Sequence, residues 1–149
     1  MQAIKSRLAS SRLIARLLAT LLFGAFIFLG ANGISDAAAI YVNPSATTAL
    51  LPISAESAQA RAVVLMVIHL AIALSGAAAI VGVWQRTRLL YGWLVVALMY
   101  AALGGYQIVS ALIEFRRPEL AVTGLAYALL AAAAWSFGRR FTRSAAGWG

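Results

Sequence analysis

Four stretches of this chain contain no Asp, Glu, Lys or Arg: residues 17–35, 62–85, 89–113 and 120–138. A helix needs roughly 20 mostly apolar residues, rising 1.5 Å each, to cross the hydrocarbon of a bilayer. Each stretch meets that length. A helix also satisfies its own backbone hydrogen bonds, which lipid cannot do for it. The four stretches use most of the 149 residues, so no separate soluble domain fits around them. The chain therefore reads as a single domain, residues 1–149, all-α, an integral membrane bundle of four transmembrane helices with antiparallel neighbours. With 63% hydrophobic and only 11% charged residues, it lacks the polar surface of a soluble domain.

A formal charge of +8 would point to nucleic acid in a soluble protein, but here the placement of the charges decides. Lys5, Arg7, Arg12 and Arg16 precede the first stretch, Arg86 and Arg88 fill the link between the second and third, and Arg139, Arg140 and Arg143 follow the fourth. All nine fall on one side of a four-span topology. Arg61, Arg116 and Arg117 fall on the other, among Asp36, Glu56, Glu114 and Glu119. The positive-inside rule makes the nine-residue side, with both termini in the tails 1–16 and 139–149, cytoplasmic. Trp84, Tyr91, Trp93 and Trp135 fall near the same side, where amphipathic rings anchor helices at headgroup depth. The expected location is a cell membrane, a bacterial inner membrane in particular, with the bilayer and other membrane subunits or further copies as partners and no nucleic acid.

The basic start, the apolar run and Ala37-Ala38-Ala39 also imitate a cleavable signal peptide ending before Ile40, although the run is long for one. Residues 36–60 form the long outer connection, with Pro44 and Pro52, and apolar residues such as Ile40 and Leu51 predict that it hugs the bundle. Ser54 is placed to cap the second helix, with Glu56 in its first turn.

Because lipid is as apolar as leucine, helices associate in membranes through small residues and a few hydrogen bonds. Four-residue spacing marks Ala71, Ser75 and Ala79 in the second span, Ala97, Ala101 and Gly105 in the third, and Gly124, Ala128, Ala132 and Ser136 in the fourth as packing faces.

Polar side chains inside hydrocarbon are costly and join helices or build a site. Asn32 falls near the outer end of helix one, with His69 and Tyr127 about 10 Å and Gln107 about 9 Å from the outer ends of their spans. Gln107, Ser110 and Glu114 share a face by i, i+3, i+7 spacing, as do Thr123 and Tyr127. Asn32, His69, Gln107, Ser110, Glu114 and Tyr127 are thus a candidate outer polar cluster: either a small pocket open to the periplasm, or groups that satisfy one another and fix register. Glu114 is expected to pair with Arg116 or Arg117. His69, the one histidine, is also a candidate haem or pigment ligand, though a bis-His haem would need a second subunit.

There is no cysteine, and none of the patterns G-x-x-x-x-G-K-[ST], H-E-x-x-H, G-x-S-x-G or the EF-hand loop occurs. Hence no catalytic residue, metal site or cofactor is expected, and the chain is not read as an enzyme. The basic start, Pro44 after the first span, Arg61-Ala62 opening the second and the basic link before the third resemble small four-helix bacterial membrane proteins of the DoxX-like kind, including families of unknown function. The resemblance implies a fold and no catalytic residues. The expected function is a non-enzymatic accessory or scaffolding subunit of a larger membrane complex, with a transporter or small-ligand binder using the outer cluster as the alternative.

Overall fold

The computed structural model describes residues 2–146, and every regular element among them is helical. Helix α1 runs Gln2–Val42, a short α2 Ser45–Leu50, α3 Ala55–Gln85, α4 Gly92–Val109 and α5 Ala121–Ala146. A 3₁₀ turn at Arg88–Tyr91 joins α3 to α4. A π turn, Ser110–Glu114, and a 3₁₀ turn, Pro118–Leu120, join α4 to α5. Four of these helices are long and apolar enough to cross a membrane.

Two helices outrun the stretches that announced them. α1 continues through residues 36–42, and α5 through residues 139–146, so part of the expected outer loop and of the C-terminal tail is helix. Nothing in residues 36–42 breaks a helix, and Asp36 is simply exposed on it. Pro44, with no N–H to donate, stands where the chain leaves α1 and opens α2. Ser54 caps α3 as its position predicts, its hydroxyl accepting from the Ser57 N–H at 3.1 Å. The segment between α1 and α3 is tied down at both ends: Gln59 Nε2 donates to the Tyr41 carbonyl at 3.0 Å, and Arg117 Nη1 to the Leu50 carbonyl at 3.0 Å.

The long helices form two antiparallel pairs, α1 on α3 and α4 on α5, and α3 lies against α4. In the first pair Gly33 lies under the His69 ring, so close that a Cβ there would collide with it. In the second, a Cβ on Gly104 would come 2.8 Å from the Gly124 carbonyl, which shows how nearly these backbones touch. Close approach of this kind is the main source of helix affinity in lipid.

The small-residue faces are only partly where the four-residue spacing puts them. Ala79, Ala97 and Gly124 are buried and Ala71 and Ser75 half-buried, but Ala101, Gly105, Ala128, Ala132 and Ser136 are exposed. At about 100° per residue, four-residue steps drift by about 40° each, so a long stripe winds off the contact face. The inner positions fall instead to Gly104 on α4 and to Ala131, Ala134 and Gly138 on α5, closer to a period of 3.6.

The core joins all four long helices through one chain of rings. Phe26 of α1 meets Tyr100 of α4 at 5.5 Å, Tyr100 stacks on Tyr127 of α5 at 5.9 Å, and Tyr127 meets His69 of α3 edge-on at 6.4 Å. Ring contacts at such spacings add about 1 kcal/mol each beyond burial. At the basic end, Trp84 Nε1 donates to Thr20 Oγ1 at 3.0 Å and Arg16 sits 5.9 Å from the Trp84 ring. Trp93, expected as an interfacial anchor, is buried, 5.4 Å from Trp135 and packed on Gly138.

Candidate functional site

Arg61 opens the apolar part of α3, and in an antiparallel pair the residues level with it on α4 are those near its C-terminus. Arg61 Nη1 donates to the Tyr106 hydroxyl at 2.9 Å, and Nη2 to the Glu114 carboxylate, an ion pair between the two helices. The guanidinium also lies 5.4 Å from the Phe115 ring centroid and 6.0 Å from that of Tyr106, a cation–π arrangement on two sides.

The expected pairing of Glu114 with Arg116 or Arg117 does not form. Glu114 closes a π turn, in which Phe115 N–H donates to the Ser110 carbonyl at 2.8 Å. That wider turn changes the direction in which the side chains beyond it leave the helix. Arg116 then adopts a left-handed backbone, φ 52°, which ends the helix. Arg117 pairs with Glu119 at 2.7 Å.

The six-residue polar cluster divides. Gln107, Ser110 and Glu114 belong to the Arg61 corner. His69 and Tyr127 belong to the ring chain of the core, and Asn32 is exposed on α1. His69 is 4% exposed, its Nδ1 lies 2.8 Å from the Leu65 carbonyl, and its Nε2 edge lies under Gly33. Among the described residues no group of three His, Cys, Asp or Glu could hold a metal ion.

Three cavities surround the corner and share walls. One of about 370 Å³ lies between α3 and α4, lined by Arg61, Val64, Leu65, Ala102 and Tyr106 among others. A second, about 140 Å³, lies beneath α2 and shares Arg61, Leu65 and Tyr106 with the first. A third, about 290 Å³, shares Thr47, Leu51, Gln107 and Phe115 with the second and adds Arg117 and Thr123. Gln107 is half-buried between the second and third cavities, and its amide has no hydrogen-bond partner among the described residues. An amide has two donor and two acceptor positions to satisfy. The arrangement suits a ligand with an apolar body and a polar end.

Sequence reasoning left Arg61, Tyr106 and Phe115 out of the cluster. For Arg61 the signal was present: it stands at the outer edge of span two and Glu114 at the outer edge of span three, and antiparallel spans bring those edges to one depth. Tyr106, beside Gln107 in an apolar run, carried no such mark.

Fold and site together define an all-α protein with four helices able to cross a membrane and a charged, amide-bearing corner at one end of the bundle. No family model matches the chain, and no match is found among curated proteins or solved structures.

Proposed function

We propose that this is a non-enzymatic multi-pass membrane protein that binds a small amphipathic ligand at the Arg61–Gln107–Glu114 corner, on the outer side of a bacterial inner membrane with both termini cytoplasmic. The orientation rests on the nine basic residues at the opposite end and on Trp84, Tyr91 and Trp135 beside them. The observation that carries the binding function is the unpartnered Gln107 amide set between two cavities that continue into the apolar groove between α3 and α4. The ligand's apolar part would lie in that groove and its polar end at Gln107.

The test is mass spectrometry of small molecules extracted with the protein purified in mild detergent. Wild type is expected to retain a defined amphiphile that Gln107→Leu loses by tenfold or more, as expected when a buried polar partner is left unmatched. Arg61→Gln is expected to lose it as well while changing unfolding stability by no more than about 1 kcal/mol, because the Arg61–Glu114 pair is partly exposed. Equal small-molecule content in wild type and Gln107→Leu would refute the binding role.

A second reading, an accessory or scaffolding subunit, is favoured by the uncovered small residues Ala101, Gly105, Ala128 and Ala132. Among the described residues, no atom beyond its own helix backbone and chain neighbours lies within 4 Å of where a Gly105 side chain would start. Co-purification of a stoichiometric membrane protein, lost on Gly105→Leu, would favour it.

A further inference from the structure

At the basic end, Arg16, Arg86, Arg88, Arg139, Arg140 and Arg143 have no acidic residue among them, since all four acids belong to the other end. Arg140 has no ion partner among the described residues. It marks one end of a groove of about 250 Å³ between α1 and α5, lined by Leu22, Ala133, Ser136, Phe137 and Arg140. The four α5 residues follow i, i+3, i+4, i+7 spacing and share one face. Ala133 and Ser136 are exposed and small, which makes the channel, while Leu22 and Phe137 are half-buried.

The order of chemistry along this face matches a phospholipid. Arg140 stands at the rim. Ser136, whose hydroxyl has no hydrogen-bond partner among the described residues, lies one turn deeper, about 6 Å at 1.5 Å per residue. Ala133 lies about 10 Å deeper than Arg140 on the same rise, in the apolar part of the groove. Phosphate, ester and acyl chain follow one another inward from a membrane surface in that sequence.

We propose that this groove is a specific site for one anionic phospholipid, its phosphate on the Arg140 guanidinium, its ester oxygens at the Ser136 hydroxyl and one acyl chain over Ala133 between Leu22 and Phe137. A guanidinium matches phosphate in charge and in geometry, through paired N–H donors. The site is separate from the Arg61 corner and stands or falls independently of it.

The experiment is native mass spectrometry of the delipidated full chain with added phosphatidylglycerol, phosphatidylcholine or inorganic phosphate. Wild type is expected to retain one phosphatidylglycerol per chain in preference to phosphatidylcholine. Arg140→Gln should weaken that retention about fivefold, the effect of one basic residue on an anionic lipid, and Arg143→Gln, outside the groove, should leave it within twofold. Ala133→Leu should remove it by filling the channel, with the unfolding temperature of the lipid-free protein unchanged as proof of folding. Retention indifferent to headgroup charge, equal loss with Arg143→Gln, survival in Ala133→Leu, displacement by inorganic phosphate alone, or a second copy of the chain filling the groove would each overturn the proposal.

Discussion

Gly82→Ala is expected to destabilise the protein by about 3 kcal/mol or more, at the upper end of what overpacking costs. Gly82 is buried in the last turns of α3, where the chain doubles back through Arg88–Tyr91. A Cβ on it would collide with the Leu90 amide nitrogen and the Leu89 carbonyl carbon. These are main-chain atoms, so no rotamer change can relieve the clash. The Gly82 carbonyl also accepts from the Arg86 and Thr87 N–H groups that close the helix, so moving this residue disturbs the turn it terminates. The internal control is Gly105→Ala, with open space where the methyl would go. Alanine is favoured over glycine in a helix by about 0.5–1 kcal/mol, so that variant should be slightly more stable than wild type. Unfolding of both in detergent, followed by circular dichroism, checks the prediction. Equal stabilities would mean that the α3–α4 link is not packed on Gly82.

The contrast between these two glycines shows which parts of the fold could be read from the chain. The lengths of the apolar runs located all four long helices because a bilayer imposes a length whatever the side chains are. The Ser54 cap was legible because capping is local, its donor three residues away. The close approaches were not. Composition marks Gly82, Gly104 and Gly105 alike, and only the rotation of each helix against its neighbour decides which of them meets backbone. A strict spacing of four, followed over three steps, turns about 120° away from the face it started on. That is why Gly124 is buried while Ala132 and Ser136 are exposed.

The candidate site was half legible for the same reason. Depth along a span follows from residue number, so the positions of His69, Gln107 and Tyr127 along their spans could be read from the chain. Which neighbour each faces depends on rotation, and the π turn at Ser110–Glu114 alters that rotation where the site is built. His69 and Tyr127 therefore went to the rings of the core, and Arg61 took Glu114. The six residues, read from the chain either as one pocket or as groups that satisfy one another, divide three ways: His69 and Tyr127 join a packed junction of four helices, Gln107, Ser110 and Glu114 a charged corner beside open space, and Asn32 is exposed on α1.

Gly33→Ala and His69→Ala are each expected to destabilise the protein, and the double variant by clearly less than the sum. The added methyl would occupy the space of the His69 imidazole, an overpacking cost of about 2 kcal/mol. Removing the ring empties the gap between α1 and Tyr127 and loses the contact of Nδ1 with the Leu65 carbonyl. For an aromatic side chain of this size, about 3 kcal/mol is expected. In the double variant the methyl enters the space the ring has left, so a favourable coupling of about 1–2 kcal/mol follows, within the range found for residues in direct contact. Gly30, one turn before Gly33, supplies the control. A Cβ there would meet the His69 carbonyl at 2.9 Å and Ala73, not the ring, so Gly30→Ala combined with His69→Ala should be additive within about 0.5 kcal/mol. Detergent unfolding of the two cycles measures both couplings. Strict additivity between Gly33 and His69 would mean that the ring does not rest on α1, leaving its Nε2 edge open to a ligand, whereas the predicted coupling fixes His69 as the residue through which α3 holds α1 and α5 at once.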